Sequence, residues 1–289
     1  MKHQNYFNYK HFPRAFRVLA SLLLIVTPVT TRALQRAGAS TVIFAVSSAS
    51  MEPVVIITRG RYLAPKKFDT NLYYRPGRKY RLLFGGGEVG KVTVKRFDKA
   101  SSFLKADVRL QTSAKLTDAV WGLATNSSSL GQGQGSRREP TEAERTAVAG
   151  LAQKIYRPNR APASLLQRMK TVDLTATDLD GNGKVEIIGT FRMDENLRSK
   201  IVAHTLFLVA EMKGDAYTPA LVEQHDEDMN YNQETAPQAT YFVDQLDLDG
   251  DGEAEIIAML VGSESWTYLI YRRQADQWHI AYKGGGGSI

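Results

Sequence analysis

An acidic segment with regularly placed glycines occurs twice in the C-terminal half of the chain, and any fold proposed for it has to accommodate both copies. Residues 177–188 are TDLDGNGKVEII, and residues 246–257, 69 positions later, are LDLDGDGEAEII. The similarity continues downstream at an offset of 61, where FLV at 207–209 matches YLI at 268–270. Repeats of this spacing are typical of architectures that stack one small unit. Each copy predicts a strand, an acidic loop and three more strands, which together form a four-stranded antiparallel meander.

Both loops offer oxygen donors at alternate positions, as a calcium loop does. Ca²⁺ takes about 6–8 oxygen ligands at about 2.3–2.6 Å, and the intervening glycines permit the left-handed backbone of a tight wrap. In the first loop the predicted ligands are the Lys184 carbonyl and the side chains of Asp178, Asp180, Asn182 and Glu186. In the second loop they are the Glu253 carbonyl and the side chains of Asp247, Asp249, Asp251 and Glu255. The sequence therefore predicts two bound calcium ions.

These loops differ from EF-hand loops in two respects. Position twelve, where a bidentate Glu closes the calcium shell, is Gly189 in one copy and Ala258 in the other. The residues that follow are short and rich in isoleucine, which favours strands over helices. The loops are therefore expected to join strands. An acidic hairpin turn without metal is the alternative, since Asp-Gly is itself a turn signal, although unneutralised carboxylates at this density repel one another.

The Asp-x-Asp-Gly-Asn/Asp-Gly-x-x-Glu-Ile-Ile loops between strands resemble the calcium-binding repeats of the FG-GAP and VCBS families. Such repeats occur in the β-propellers of integrin α-chains and in many secreted bacterial proteins. The resemblance covers residues 171–289 and implies blades of four strands with structural calcium, although the ninth position, usually Asp in those families, is Glu186 or Glu255 here. A propeller needs about four to eight blades. Two copies leave a two-sheet packing, an open fragment and assembly between chains as alternatives.

The N-terminus has the features of an export signal. Residues 1–17 carry four basic residues and no acid, residues 18–30 (VLASLLLIVTPVT) are uncharged, and Thr31 and Ala33 supply a small-residue cleavage site. This pattern predicts a signal peptide over residues 1–33 and a secreted, periplasmic or cell-surface protein. The apolar run is shorter than the roughly 20 residues of a membrane span, so no stable span is expected. An uncleaved anchor is the alternative. The whole chain also resembles secreted bacterial proteins of unknown function.

Charge is distributed unevenly along the chain. The formal net charge of +7 falls close to zero without residues 1–33, which leave 32 basic and 30 acidic residues, so no nucleic-acid partner is expected. Residues 34–170 hold 24 basic and 9 acidic residues, whereas residues 171–289 hold 8 and 21. Such asymmetry indicates two regions with different roles or a contact between them.

The predicted fold class is mainly β with one or two helices (α+β), with duplicated meanders that resemble propeller blades after a separate small β-domain. A capping box at Thr141 and Glu144 predicts a helix that ends at Tyr156, and a shorter helix is expected over 164–169. In the first domain the predicted strands are 53–58, 79–84, 90–97 and 104–112. The predicted parts are a signal peptide (1–33), a basic β-rich domain (40–126), a flexible linker (127–140), a helical connector (141–170) and the duplicated acidic calcium-binding module (171–289).

The sequence allows three interpretations of the basic domain. Its cations alternate with tyrosines, which suits an anionic polymer or a phospholipid surface, but they also suit a contact with the acidic region or simple solvation. The cations considered are Arg59, Arg61, Lys66, Lys67, Arg75, Arg78, Lys79 and Arg81. The expected partners of the protein are an extracellular glycan, a protein or an anionic envelope polymer, and the oligomeric state stays open.

No catalytic constellation is identified in the sequence. Residues 85–91 (GGGEVGK) match part of a phosphate-binding loop, but Val92 stands where Ser or Thr holds magnesium, and a strand follows, so a glycine hairpin is predicted instead. The absence of cysteine excludes a thiolate nucleophile. Enzymatic activity is therefore not favoured, and the predicted function is a calcium-binding recognition or adhesion module. An exported hydrolase with structural calcium and an envelope-associated structural protein are the alternatives.

Aromatic residues near the C-terminus alternate with polar ones. Residues 266, 268 and 270 are expected on one strand face, as are residues 278, 280 and 282. A platform for sugar rings is one interpretation of these faces. Packing in the core is the favoured one, because the alternation with polar residues is regular.

Overall fold

The computed structural model describes residues 40–65, 68–99, 103–156, 162–198, 200–229 and 237–288. The predicted signal peptide, residues 1–33, lies outside them, as do Lys66 and Lys67. The described residues form fifteen strands and three helices within one compact unit, Gly38–Ile289. The mainly β class is thus confirmed, with one helix more than the sequence predicts.

The first seven strands form an antiparallel sheet in the order β1-β7-β4-β5-β6-β2-β3. They are β1 (Thr41–Val46), β2 (Ser50–Thr58), β3 (Arg61–Leu63), β4 (Lys79–Phe84), β5 (Gly87–Phe97), β6 (Ala106–Thr112) and β7 (Gly122–Thr125). Because β2 also pairs with β1, six strands close into a small barrel and β3 stays on its outside. Phe44, Leu82 and Val92 fill the interior. The four strands predicted for this region are present, with bounds that differ by up to three residues.

The glycines between β4 and β5 form the predicted hairpin turn. Gly85 and Gly86 have φ values of +62° and +84°, the left-handed conformations that a two-residue turn between twisted strands requires. A strand and not a helix follows the turn, as expected.

The duplicated region forms two four-stranded antiparallel sheets, as predicted. The second sheet contains β8 (Lys170–Thr177), β9 (Glu186–Asn196), β10 (Ile201–Lys213) and β11 (Ala216–Met229). The third sheet contains β12 (Ala239–Leu246), β13 (Glu255–Val261), β14 (Ser265–Gln274) and β15 (Gln277–Ser288). In each sheet the strands follow one another in chain order, so both are simple meanders.

Three helices complete the described chain: α1 (Thr70–Tyr73), α2 (Glu142–Tyr156) and α3 (Ala163–Leu166). The capping box of α2 is confirmed, since the Thr141 amide donates to the Glu144 carboxylate (2.7 Å) and the Glu144 amide donates to the Thr141 hydroxyl (3.3 Å). No helix among the described residues combines the length and the hydropathy needed to cross a membrane.

Apolar contacts stack these parts in layers. One face of the second sheet covers Val148 of α2 and Leu165 of α3. Its other face packs against the third sheet, where Phe207 and Tyr271 stack with ring centroids 6.0 Å apart. The far face of the third sheet packs on outward-facing apolar residues of the barrel, including Val55. The barrel and the repeats therefore share a core.

Residues 127–140 connect the layers through polar contacts. The Ser136 amide donates to the Gly85 carbonyl of the barrel (3.0 Å), and Arg138 exchanges two backbone hydrogen bonds with Ala176 at the end of β8. The Arg137 side chain is only 8% exposed and lies 3.6 Å from the fully buried carboxylate of Asp244 on β12. This segment, predicted as a flexible linker, thus makes specific contacts with the barrel and with both meanders.

Arg137 and Asp244 lie at the centre of this contact. The guanidinium lies between the rings of Phe84 and Phe242, 4.7 Å from each centroid, and donates to the carbonyls of Trp121 and Val243 (2.8 Å each). Asp244 accepts from the Gly85 amide (2.9 Å). Burial raises the pKa of the Asp244 carboxyl, and the nearby guanidinium opposes that rise.

The C-terminal aromatic residues agree with the core interpretation only in part. Trp266, Tyr268 and Ile270 pack together in a core, as predicted, and this core also contains residues of the barrel. The prediction for 278, 280 and 282 is wrong, because the pairing register shifts opposite Ile270 and Tyr271. The bulge turns Tyr282 towards the barrel and Trp278 towards the second sheet.

Candidate metal centre

The two acidic loops occupy equivalent positions in the two meanders. Each begins after the first strand and ends at the second, so that Glu186 and Glu255 are the first residues of β9 and β13. The loops lie side by side, because the Ala254 amide of the second donates to the Leu179 carbonyl of the first (2.7 Å). One end of the stacked sheets thus carries both candidate sites.

Hydrogen bonds inside the first loop hold its carboxylates in place. Asp178 Oδ2 accepts from the Gly183 amide (2.9 Å). Glu186 reaches back across the loop, and its Oε2 accepts from the Leu179 amide (2.8 Å). Gly183 has a φ of +80°, which a side chain would make costly, so the glycine is required for the wrap that the sequence predicts.

The second loop repeats this pattern. Asp247 Oδ2 accepts from the Gly252 amide (3.1 Å), and Glu255 Oε2 accepts from the Leu248 amide (2.8 Å). Gly252 again has a positive φ, +96°. The duplication seen in the sequence is therefore also a duplication of loop geometry.

Three of the predicted ligands of each loop converge. One carboxylate oxygen from each of Asp178, Asp180 and Glu186 lies within 4.8 Å of the others, and the same holds for Asp247, Asp249 and Glu255. Oxygens on opposite sides of a calcium ion are about 4.6–5.2 Å apart, twice the metal–oxygen distance. The spacing of both clusters suits a single divalent cation.

The remaining predicted ligands take part in local hydrogen bonds. Asn182 Oδ1 accepts from the Lys184 amide (2.7 Å), and the Asn182 side-chain amide donates to Asp180 (2.7 Å). Asp251 lies outside the second cluster, and its Oδ1 accepts from the Glu253 amide (2.9 Å). Asn182 thus contacts the first cluster through Asp180, and Asp251 is the predicted carboxylate ligand that does not join a cluster.

The first cluster accepts hydrogen bonds but has no cationic side chain beside it in the described part of the chain. Among the described residues, no Lys or Arg forms an ion pair with Asp178, Asp180 or Glu186, and Asp178 Oδ1 is buried without a hydrogen-bond partner. Burial raises the pKa of Glu186 to about 7; the Leu179 amide opposes this rise, and the charges of Asp180 and Asp178 add to it. A buried oxygen without a partner is costly, and a bound cation would remove that cost.

The second cluster contains a cation of its own, Arg272 on β14. Its Nε lies 2.7 Å from Glu255 Oε1, and one terminal nitrogen lies 3.1 Å from Asp249 Oδ2. The same side chain donates to the Tyr62 hydroxyl on β3 (2.7 Å). Through this bond Arg272 links the second loop to the barrel sheet. The spacing of the loop residues does not predict that Arg272 belongs to the site.

The first repeat has no counterpart of Arg272. At the offset of 61 between the repeats, Arg272 corresponds to Glu211, whose carboxylate pairs with Arg273 at 3.3 Å. This reversal of charge was visible in the aligned repeats. The two loops therefore have the same backbone pattern and different electrostatic surroundings.

Comparison of the chain with protein-family models, with curated proteins and with solved structures gives no significant match.

Proposed function

We propose that the protein is an exported calcium-binding β-repeat protein, with FG-GAP/VCBS-like blades, that serves as a recognition or adhesion module at the cell surface or outside the cell. The observation that carries the proposal is the convergence of three carboxylates in each of two loops with the same geometry. The unpartnered oxygen of Asp178 supports a cation in the first loop. The predicted signal peptide supports export.

Calcium has a structural role in this proposal. Each ion joins the end of the first strand of a meander to the start of the second, because its ligands lie at both ends of the loop. A ligand that binds only the folded state stabilises it, so an ion in each loop would favour the stacked arrangement of the two sheets. A rigid surface loses less conformational entropy when it binds an extracellular partner, which favours recognition.

Thermal unfolding tests the proposal directly. At a calcium concentration ten times the dissociation constant, one site stabilises the folded protein by about 1.4 kcal/mol, which corresponds to about 3–5 °C for a domain of this size. We expect calcium to raise the melting temperature of the chelator-treated protein, and we expect the variant Asp180→Asn with Asp249→Asn to lose that rise. Circular dichroism during heating measures both.

A matched control separates the loops from charge in general. Asp215→Asn with Asp276→Asn removes the same charge from β-turns of the same two sheets, where Asp276 is almost fully exposed. We expect this variant to keep the full response to calcium. An equal melting temperature with calcium and with chelator in the wild type would contradict the proposal.

The calcium-induced rise in melting temperature should also depend on pH. Glu186 has a pKa raised to about 7 in the metal-free protein, and calcium binds only the carboxylate. Protonation therefore competes with the ion below that pKa, and we expect the calcium-induced rise in melting temperature to shrink as the pH falls from about 8 to about 6. The variant Glu186→Gln should bind calcium more weakly in the first loop, and its remaining response should change less over this range.

A further inference from the structure

The outer surface of the barrel has two sides with different chemistry. Outward side chains of β1, β2 and β7, such as Ile43, Val54 and Leu123, are buried against the third sheet. On the other side most outward side chains of β4, β5 and β6 are exposed, whereas Thr93 of β5 is buried and Leu83 of β4 belongs to the internal contact. One side of the barrel is thus an internal contact, and the other is available to a partner.

The exposed side is basic. The pairing register places Thr93 of β5 opposite both Lys79 of β4 and Arg109 of β6, and it places Lys91 opposite Arg81. Neighbouring strands are about 4.8 Å apart, so Lys79 and Arg109 flank Thr93 across about 10 Å. Lys95 extends the same side along β5. We call the exposed cations Lys79, Lys91, Lys95 and Arg109 the basic face.

No carboxylate in the described part of the chain neutralises the basic face. The two carboxylates closest to it in the strand register are taken: Glu88 pairs with Arg81 (2.7 Å), and Asp107 pairs with Arg96 (2.9 Å). Within the described residues, none of the four cations of the basic face forms an ion pair with a carboxylate. The positive charge of these four side chains is therefore available to an anionic partner.

We propose that the basic face binds an extended anionic polysaccharide. Cations on three adjacent strands form a positively charged patch, which attracts a chain with repeating negative charges. Gln111, exposed and directly opposite Lys91, adds an amide that suits sugar hydroxyl groups. The proposal names a partner for the recognition role proposed above and rests on that role, but it involves none of the calcium loops.

The side chains on this face distinguish a polysaccharide from other polyanions. Single-stranded nucleic acids bind proteins through aromatic side chains on which bases stack, and membrane surfaces are bound by apolar side chains together with cations. The outward residues that pair around the basic face are Lys79, Arg81, Lys91, Arg109 and Gln111, with Thr93 buried between Lys79 and Arg109. None is aromatic or large and apolar, so the surface offers charge and hydrogen bonds only.

The test measures binding of the full chain to dextran sulfate and to neutral dextran of equal length, over a range of salt concentrations. We expect binding to dextran sulfate alone. Replacing the four cations of the basic face with Gln should weaken binding about tenfold or more at low salt. It should also reduce the slope of log K against log salt by about three, since each of the four charged contacts contributes about 0.7–0.9. The paired variants Lys79→Gln with Arg109→Gln and Lys91→Gln with Lys95→Gln should each show part of the effect.

A control variant changes as many exposed cations elsewhere: Lys154→Gln, Arg168→Gln, Lys170→Gln and Lys213→Gln, on α2, after α3, on β8 and on β10. Equal affinity of this variant and the basic-face variant would overturn the proposal. Tighter binding of the wild type to duplex DNA or to phosphatidylglycerol vesicles than to dextran sulfate would overturn it as well. If the protein binds dextran sulfate but calcium does not change its melting temperature, only the calcium proposal is contradicted.

Discussion

Replacing Arg137 with alanine should lower the free energy of unfolding by about 3–5 kcal/mol, the range expected when one partner of a buried ion pair is removed. The change leaves the carboxylate of Asp244 fully buried without its counter-charge. It also removes the cation between the rings of Phe84 and Phe242 and the hydrogen bonds to two carbonyls. Chemical denaturation monitored by tryptophan fluorescence measures the effect.

The next residue in the chain supplies the control. Arg138 forms an exposed ion pair with Glu144 at 2.7 Å, and pairs of this kind contribute about 0–1 kcal/mol. Arg138→Ala keeps the backbone hydrogen bonds to Ala176, so we expect a loss within that range. Similar losses for the two variants would show that the contact between the barrel and the repeats does not depend on Arg137.

The expected losses in the free energy of unfolding differ greatly between Arg137→Ala and Arg138→Ala, and the sequence alone does not predict this difference. Residues 127–140 are rich in Ser, Gly and Gln, a composition typical of flexible connectors. Composition does not reveal that Arg137 points into an aromatic and acidic pocket, because Phe84 and Asp244 are distant in sequence. The pocket exists only after the barrel and the third sheet have packed together.

The elements that were predictable have strong local signals. The α2 helix was found from its capping box, and β5 and β6 were found from their alternation. The closure of the barrel was not found, because it depends on β1 and β7, whose apolar runs have no alternation. The bulge that separates Trp278 from Tyr282 was also missed, because a single register shift leaves no signature in the sequence.

In the candidate site, too, the features with a local sequence signal were predictable and those that depend on distant residues were not. Spacing alone predicted seven carboxylate ligands, and six of them converge, because each loop is a short segment in which position decides geometry; Asp251 does not join a cluster. Arg272 was missed because it arrives from a neighbouring strand, 17 residues from Glu255. The aligned repeats place Glu211 at the position equivalent to Arg272. Two repeats with the same loop sequence can therefore have opposite charges on the neighbouring strand.

Arg272 leads to an unequal affinity of the two loops for calcium. Its guanidinium already neutralises part of the second cluster, and an ion entering there has to displace it or share Asp249 and Glu255 with it. The first cluster has no such competitor among the described residues. Isothermal titration should therefore show a tight site and a weaker one. Asp180→Asn should remove the tight site, whereas Asp249→Asn should remove the weak one.

The decisive variant is Arg272→Gln, which removes the charge and keeps a hydrogen-bond donor. A nearby opposite charge shifts carboxylate equilibria by about one to three powers of ten, so we expect the second loop to bind calcium about ten- to a hundredfold more tightly. The neighbouring Arg273→Gln is the control, because Arg273 pairs with Glu211 and Asp276 and touches neither cluster. Unchanged affinity in Arg272→Gln would mean that the guanidinium and the ion do not compete. Melting of the chelated variant measures separately what the lost bond to Tyr62 contributes, so that a weakened fold is not mistaken for a changed metal site.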